Sequence, residues 1–419
     1  MASFFIPLTG LKADSTALNT IANDIANMNT TGFKSQSVNF ADLFYQQIGA
    51  AGSGDPIQTG AGTRVASITT DFTDGTPNST GVSTDVAIQG NGFFVLSNGS
   101  DQFLTRNGGF STDSTGNLIT SNGLSVMGYP AVNGVINTAA SLVPINVPMS
   151  QVLSPKASST FSMNLNLDSS SATNSTFPAT VDIYDSLGTM HTATVTYTHT
   201  GSNAWSYSIA LPASETGGTA TPVTGNMTFD TSGNLATVNG TAVGSGTGQV
   251  SSIPVGFSGL SDGAANLTMN WNLLGASGKP TISQVNADSA LDSTHQDGYN
   301  AGEYKSFTIG SDGTVTVTYS NSQKMNVGQI ALGNVNNLQG LRALGNGDYE
   351  ATLASGTAAI GVSGSAGRGT MQNGALEGSN VNISGQFSAL IIAQRAFEAN
   401  SKAITTFDSI AQETIQMIH

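Results

Sequence analysis

The two ends of this 419-residue chain have the apolar spacing of α-helices, whereas the roughly 350 residues between them have the spacing of β-strands and turns. Near the N terminus a helix around residues 7–29 would carry one apolar seam, formed by Leu11, Leu18, Ile21, Ile25 and Met28. Its opposite face would carry Asn19, Thr20, Asn23, Asp24 and Asn27. Because Asn and Thr are mediocre helix formers and a helix of this length is marginal alone, we expect it to need a partner along the seam.

The C-terminal pattern predicts a longer helix over residues 383–418, with Asn382 as its N-cap. One stripe along it is formed by Ile383, Phe387, Leu390, Gln394, Phe397, Ser401, Ile404, Asp408, Ala411, Ile415 and Ile418. A second stripe, on another face, is formed by Ile392, Ala396, Ala399, Ala403, Phe407 and Ile410. Apolar residues on two faces imply burial on two sides. The pattern alone leaves two alternatives open, which are packing against other copies of the chain and an intramolecular helical hairpin on the β body.

The composition excludes several classes of function. Charged residues make up 9% of the chain and the net charge is −14, which argues against a nucleic-acid partner. No Lys or Arg falls between Lys156 and Lys279, so this stretch is not expected to bind phosphates or an anionic membrane. The chain has no cysteine, which excludes disulfides and Cys-ligated zinc. No apolar run is long enough for membrane insertion, and we expect no cleaved signal peptide.

The middle of the chain has the alternation of antiparallel strands, most clearly in Thr192–Tyr197, Ser206–Leu211 and Thr314–Tyr319. Two similar segments, beginning at Asp113 and Asp230, are expected to be hairpin turns, because they lack the alternating carboxylates of a calcium loop.

No catalytic, cofactor or metal site is predicted. His191 and His199 flank one predicted strand. Asp182 and Asp185 are expected on a strand, pointing to opposite faces, because they lie three residues apart.

The segment 22–34 resembles the N-terminal signature of the bacterial flagellar rod, hook and hook-associated proteins. The residues that carry this resemblance are Ala22, Asn23, Ile25, Ala26, Asn27, Gly32 and Phe33. The C-terminal end is similar to the same family over Gly374–Val381 and then at Gln394, Arg395, Ala396 and Phe397. Between the ends, Gly90–Phe94 and the segment 296–307 look like the middle domain of this family, which leaves about 150–292 without a motif.

The resemblance implies a mixed fold, in which helical N- and C-terminal segments form a coiled-coil-like axial domain and two mainly antiparallel β domains are nested between them. The implied divisions are an axial domain of 1–32 and 377–419, a connecting segment of 33–75 and 363–376, a middle β domain of 76–149 and 293–362, and an inserted outer β domain of 150–292. The size of the insertion favours the hook members over the shorter distal rod proteins.

The function implied is that of a structural, non-enzymatic subunit, which assembles into a curved flexible tube and transmits torque from rod to filament as a universal joint. Its implied partners are many copies of itself, the distal rod protein, the hook cap, the hook–filament junction protein and the flagellar export apparatus, with an extracellular location in the flagellum. Alternatives are a distal rod or hook-associated protein, or a secreted β-rich adhesin or glycan-active protein.

Two residue-level expectations complete this picture. The segment 40–45, with Phe40 and Phe44, is similar to the short aromatic motif that such proteins present to the export gate. The alternative is a strand or short helix that packs between domains. Gln394, Ser401 and Asp408 are polar residues within the first C-terminal stripe, and we expect them to set the register between helices.

Overall fold

The computed structural model describes residues 2–50, 56–218 and 221–417, so Ile418 of the predicted stripe lies outside the described residues. The chain forms two compact units. The first contains Met1–Met149, Ser306–Thr318 and Lys324–His419, and the second contains Ser150–Lys305 and Tyr319–Gln323.

The first unit begins with helix α1 (Ala2–Ala26), which starts earlier and ends three residues earlier than the sequence predicts. At its end the Asn27 side-chain amide donates to the carbonyl oxygen of Asn23 over 2.9 Å. Five strands follow: β1 (Gln36–Asp42), β2 (Gln46–Ala50), β3 (Pro56–Thr59), β4 (Thr63–Thr70) and β5 (Pro77–Ser79). β1 pairs antiparallel with β4, and β2 pairs antiparallel with β3.

The next eight strands of the first unit are β6 (Val86–Gln89), β7 (Phe93–Ser97), β8 (Gln102–Thr105), β9 (Ser111–Thr112), β10 (Leu118–Ile119), β11 (Ser125–Val132), β12 (Val135–Ile136) and β13 (Val143–Pro144). The turn from Asp113 joins β9 and β10 as a hairpin, as predicted. Asp113 shapes this turn by accepting from the backbone N–H groups of Thr115 and Asn117, each over 2.8 Å.

The second unit contains β14 (Thr160–Asp168), β15 (Thr176–Tyr184), β16 (Met190–Gly201), β17 (Ala204–Ala210), β18 (Val223–Phe229), β19 (Leu235–Val238), β20 (Thr241–Ala242), β21 (Ser252–Phe257), β22 (Leu267–Asn272), β23 (Ile282–Val285) and β24 (Ala290–Gln296). Strands β15 to β20 form one antiparallel sheet in sequence order. The other sheet has the order β21-β22-β14-β23, with β24 also paired to β14. Strand β14 runs parallel to β22 and β23, so this sheet is mixed rather than purely antiparallel.

The two sheets of the second unit share one apolar core. Trp271 of β22 stacks on Phe161 of β14 with ring centroids 5.9 Å apart, and it meets Tyr207 of β17 edge to face at 5.5 Å. The alternation predicted around residues 192–197 and 206–211 is confirmed, because every second residue of β16 and β17 is buried. Face-to-face packing of two alternating sheets makes this unit a β-sandwich.

The chain then returns to the first unit through β25 (Tyr304–Ile309), β26 (Thr314–Tyr319), β27 (Lys324–Ile330), β28 (Leu332–Asn334), a short 3₁₀ helix (Leu338–Gly340), β29 (Arg342–Gly345), β30 (Asp348–Glu350), β31 (Ala359–Gly361), β32 (Thr370–Asn373), β33 (Ala375–Glu377) and helix α2 (Ile383–Met417). The main sheet has the order β25-β26-β27-β11-β7-β8-β30-β29. β32 pairs with β6 and β33 with β5, so strands from both halves of the chain are joined.

Helix α2 has 35 residues and is about 52 Å long at 1.5 Å per residue. Its predicted N-cap is confirmed, because the Asn382 side-chain oxygen accepts from the backbone N–H of Gly385 over 3.1 Å.

Candidate assembly surface on the terminal helices

The two terminal helices pack against each other within one chain. The Gln386 amide donates to Asp24 Oδ2 over 2.9 Å, and the Asn400 amide donates to Asp14 Oδ2 over 2.8 Å. Because later residues of α2 meet earlier residues of α1, the pair is antiparallel. The intramolecular pairing that the sequence left open is therefore present in the chain.

The residues of α1 that face α2 are not the predicted apolar seam. They form an inner seam of small or polar buried residues, Gly10, Ala13, Ala17, Thr20 and Asp24. The expectation that Thr20 and Asp24 lie on an outward polar face is wrong. Small side chains let the helices approach closely: a Cβ placed on Gly10 would lie only 2.7 Å from the Asn400 amide nitrogen.

On α2, the side facing α1 includes residues outside the predicted stripes together with Ala396 of the second stripe. Ala393 is buried there, and Gln386, Ala389, Ala396 and Asn400 are half-buried. The two helices thus meet along small and polar residues, whereas the larger Phe387, Ile391 and Ile392 remain exposed.

The predicted apolar residues form the outer stripes of the helix pair. On α1 and just after it, Leu11, Leu18, Ile21 and Ile25 are half-buried and Met28 is exposed. On α2, Leu390, Phe397, Ser401 and Ile404 are half-buried, whereas Phe387, Gln394, Asp408 and Ile415 are exposed. All ten residues from Asp408 to Met417 are exposed. Two faces of the helix pair consequently present apolar surface to solvent in the isolated chain.

Asp24 is the most buried polar residue of the inner seam, with no exposed surface. Its carboxylate accepts from the backbone N–H of Gln36 over 3.0 Å as well as from the Gln386 amide. Burial raises its pKa, and the hydrogen bond from Gln36 opposes that shift. Asp14 and Asp24 therefore provide the polar contacts between the helices of one chain.

The three polar residues expected to set the register between helices are not fully buried in the chain. Gln394 and Asp408 are exposed, Ser401 is half-buried, and Asp408 accepts from the Gln412 amide of its own helix over 2.9 Å. Their role in setting register stays a prediction.

A groove of 560 Å³ lies between α1, β1 and α2. Its lining includes Ile21, Val38, Phe40 and Ile392. Phe40 lies on β1 and is 49% exposed, while Phe44 lies in the connection from β1 to β2 and is 94% exposed. Both aromatic residues of the expected export motif are therefore accessible in the folded chain.

The N-terminal signature meets the C-terminal motif at Gly32. The Gly32 N–H donates to the carbonyl oxygen of Glu377 over 2.8 Å. Its φ of 67° is left-handed, and a Cβ there would lie 2.9 Å from the carbonyl carbon of Arg106. Glycine is required here for both reasons. The other signature residues lie near the surface: Ala22, Asn23, Ala26 and Arg395 are exposed, while Asn27, Phe33 and Ala396 are half-buried.

A buried ion cluster follows directly after Gly32. Lys34 Nζ lies 2.7 Å from Glu377 Oε1, and each of these side chains is only 1% exposed. The ammonium also donates to the carbonyl oxygen of Thr73 over 2.7 Å. Burial lowers the pKa of Lys34, and the hydrogen bond with Glu377 opposes that shift. Arg106 Nη1 lies 3.6 Å from Glu377 Oε2, so the carboxylate faces two cations.

Sequence reasoning missed this cluster. The available signal was that Lys34 closes the N-terminal signature segment while Glu377 lies within the C-terminal motif. Opposite charges in two motifs that meet in the fold predict an ion pair.

The prediction for Asp185 is also wrong. It lies in the turn after β15, not on a strand, and it is fully buried against His191. Over the described ranges, no helix has the length and apolarity needed to cross a bilayer.

Terminal helices joined around β domains, with motifs at both ends, define the class of the flagellar rod and hook proteins. Four family models of this class match the chain. They are described as flagella basal body rod protein (residues 8–34), flagellar hook protein FlgE/F/G D1 domain (87–164), flagellar basal body protein FlaE D2 domain (154–299) and flagellar basal body rod FlgEFG protein C-terminal (372–417).

Relatives that match over nearly their whole length show which family of this class the chain belongs to. The flagellar hook protein FlgE of Salmonella typhimurium is 36% identical over 431 residues, which cover 99% of this chain and 100% of that protein. The FlgE of Treponema pallidum is 34% identical over 461 residues, with 100% and 99% covered. The chain therefore belongs to the flagellar hook protein FlgE family. The crystal structure of Helicobacter pylori flagellar hook protein FlgE2 is similar in fold, with a TM-score of 0.54 at 16% identity, covering 72% of this chain and 100% of that one.

The comparisons confirm the predicted resemblance and the arrangement of terminal helices around a mostly β middle. Members of the family are structural components of the flagellar hook.

Proposed function

We propose that many copies of this chain assemble through their terminal helices into the curved, flexible tube of the flagellar hook, which transmits torque from the rod to the filament. The observation that carries this proposal is the pair of outer stripes. The intramolecular contact involves small and polar residues, and it leaves large apolar residues such as Phe387, Ile392 and Ile415 exposed.

The size of this surface supports assembly. Ile392 is 69% exposed, Phe387 49% and Ile415 60%. Full burial of a fully exposed side chain of this size contributes about 1.5–3 kcal/mol, and these partly exposed side chains would gain a corresponding fraction each. Several of them per copy, repeated along a polymer, would offset the loss of translational and rotational freedom on association.

The helix pair of one copy would form coiled-coil-like contacts with the pairs of its neighbours, with Gln394, Ser401 and Asp408 in the register between copies. We further propose the fourfold division described above, with an axial domain, a connecting segment, a middle β domain and an inserted outer β domain. The role is structural, with no catalytic activity and no cofactor.

Family membership implies other components of the flagellar axis as partners. We propose the distal rod protein at one end of the tube and the hook cap and hook–filament junction protein at the other. The chain would pass through the flagellar export apparatus without cleavage of a signal peptide and act outside the cell.

The exposed Phe40 and Phe44 would serve in this export step. Changing both to Ala is expected to reduce secretion of unassembled protein, whereas changing the exposed Ile57 to Ala, as a control outside the motif, should not. Secretion of the double variant at the level of the control would remove Phe40 and Phe44 from this role.

Assembly is tested by truncation after Gly385, which removes nearly all of α2. Electron microscopy is expected to show tubes for the full chain and none for the truncated chain. Trp205 and Trp271 are both buried in the β-sandwich, so unchanged tryptophan fluorescence would show that this unit remains folded. A full chain that stays monomeric at high concentration would refute the proposal.

A further inference from the structure

Four titratable side chains converge at one end of the β-sandwich. His191 Nδ1 lies 2.8 Å from Glu215 Oε2, and His191 Nε2 lies 3.0 Å from Asp185 Oδ2 and 3.7 Å from Asp262 Oδ2. The side chain of Asp185 is fully buried and that of His191 is 5% exposed. Both ring nitrogens therefore face carboxylates, of which Asp185 is buried while Glu215 and Asp262 are partly exposed.

The backbone fixes the orientation of Asp185. Its Oδ1 accepts from the N–H groups of Leu187 and Thr189 over 2.8 and 2.9 Å. These bonds belong to the turn between β15 and β16, and they leave Oδ2 directed at His191. A ligand atom held in place before binding loses little conformational freedom when an ion arrives.

The charge of the cluster calls for a cation. Three carboxylates surround one imidazole, and the sequence supplies no Lys or Arg from residue 157 to 278. The carboxylates of Asp185, Glu215 and Asp262 all lie within 3.7 Å of the imidazole nitrogens.

We propose that Asp185, His191 and Asp262 bind a divalent transition-metal ion of the zinc type, with Glu215 orienting the imidazole. The three ligand atoms all lie within 4.8 Å of one another. Bonds of about 2.1 Å to a tetrahedral zinc ion place neighbouring ligand atoms about 3.4 Å apart. The separations of 3.0 and 3.7 Å from His191 Nε2 lie on either side of that value.

Glu215 completes a recurrent arrangement of zinc sites. A histidine that binds metal through one nitrogen usually donates its other N–H to a carboxylate, which fixes the tautomer. Glu215 faces Nδ1 in this way, leaving Nε2 for the ion. The fourth position of the ion would be filled by water.

The site would stabilise one end of the sandwich. His191 lies on β16 of the first sheet and Asp185 lies in the turn before that strand, whereas Asp262 lies in the loop between β21 and β22 of the second sheet. The Ser261 N–H already donates to the carbonyl oxygen of Glu215 over 2.8 Å, so these loops are adjacent. An ion shared by the loops would hold the two sheets together at this end.

The test is titration calorimetry of the purified full chain with ZnCl₂ alone. We expect one ion per chain. The His191→Gln and Asp262→Asn variants should lose this binding, and Glu215→Ala should weaken it about 10- to 100-fold. The His295→Gln variant, which changes an exposed histidine of β24, should bind as the original chain does.

Asp262 is partly exposed, so its Asn variant is expected to fold even where the His191 variant does not. Tryptophan fluorescence establishes that each variant retains the sandwich. A chain that binds no zinc at millimolar concentration would overturn the proposal. Equal zinc binding by the Asp262→Asn and original chains would overturn it as well.

Discussion

Replacing Lys34 by Met tests how the two ends of the chain are joined. The substitution keeps most of the side-chain volume but removes the ammonium that lies 2.7 Å from Glu377 Oε1. The Glu377 carboxylate would stay buried, with the Gly75 N–H at 2.9 Å and the Arg106 guanidinium at 3.6 Å. Removing one partner of a buried ion pair costs about 3–5 kcal/mol. Because the Gly75 N–H and the Arg106 guanidinium remain, we expect the free energy of unfolding to fall by an amount near the lower end of that range.

The two units can be followed separately during urea unfolding. Both tryptophans of the chain lie in the β-sandwich, whereas both helices belong to the first unit. We expect Lys34→Met to lower the midpoint of the helical circular-dichroism transition and to leave the tryptophan-fluorescence transition unchanged.

The matched control is the double variant Lys34→Met with Glu377→Leu, which leaves no unpaired carboxylate. Arg106 retains Asp74, whose Oδ1 lies 2.7 Å from Nη2. The double variant is expected to recover part of the loss, because the penalty arises from an isolated buried charge. A loss under about 1 kcal/mol in the single variant, typical of a surface ion pair, would refute this reasoning.

Three further substitutions test the helix pair and its junction. Gly32→Ala should cost about 1–3 kcal/mol in the same helical transition, because φ is 67° and the new Cβ would meet the Arg106 backbone. Gly10→Ala should displace the Asn400 amide and increase hydrogen exchange in α1, whereas Ala22→Gly, at an exposed site, should lower helix propensity without this displacement. Asp24→Asn should remove a pH dependence of the stability of the first unit. Burial raises the pKa of Asp24, so the protonated carboxyl stabilises the fold fully below pH 3.8, and this contribution is lost as pH rises through the folded-state pKa. The unfolding midpoint of the variant minus that of the original chain, followed by helical circular dichroism, should therefore be larger at pH 7 than at pH 4. The same difference at both pH values would contradict a raised pKa of Asp24.

The strands were predictable where side chains alternate in polarity. In β26, Thr314 to Tyr319 alternates Thr with Val or Tyr, and the structure buries every second residue. The long C-terminal helix and its Asn382 cap were predictable for a similar reason, because helix periodicity and capping are local properties of the chain.

The inner seam was not predictable from apolar periodicity. Gly10, Ala13 and Ala17 contribute little hydrophobicity, so the larger Leu and Ile residues dominate the pattern. A pattern of apolar residues shows which faces will be buried at some stage, but it does not show which partner covers each face. Small residues at helical spacing mark the closest approach of two backbones, and here that approach is within the chain.

Local sequence patterns could not predict the two charged clusters, because the clusters join residues that are distant in the sequence. Lys34 and Glu377 lie 343 positions apart. The hydrogen bond from Trp205 to Gln284 likewise joins residues 79 positions apart. His191 and Asp185 are near in sequence, but Asp262 reaches them only through the packing of the second sheet on the first. Only strand order and register bring such groups together.

Assembly through the outer stripes is tested most directly by electron microscopy of a Phe387→Ser chain. Phe387 is 49% exposed and lies outside the inner seam, so both unfolding transitions should be retained. The control is Val135→Ser, which changes an exposed apolar residue of β12, far from the helices in sequence. The original and Val135→Ser chains are expected to form tubes, and the Phe387→Ser chain is expected to remain unassembled or to form tubes only at higher concentration. Tubes of the Phe387→Ser chain that form at the same concentration as the original would contradict assembly through this surface.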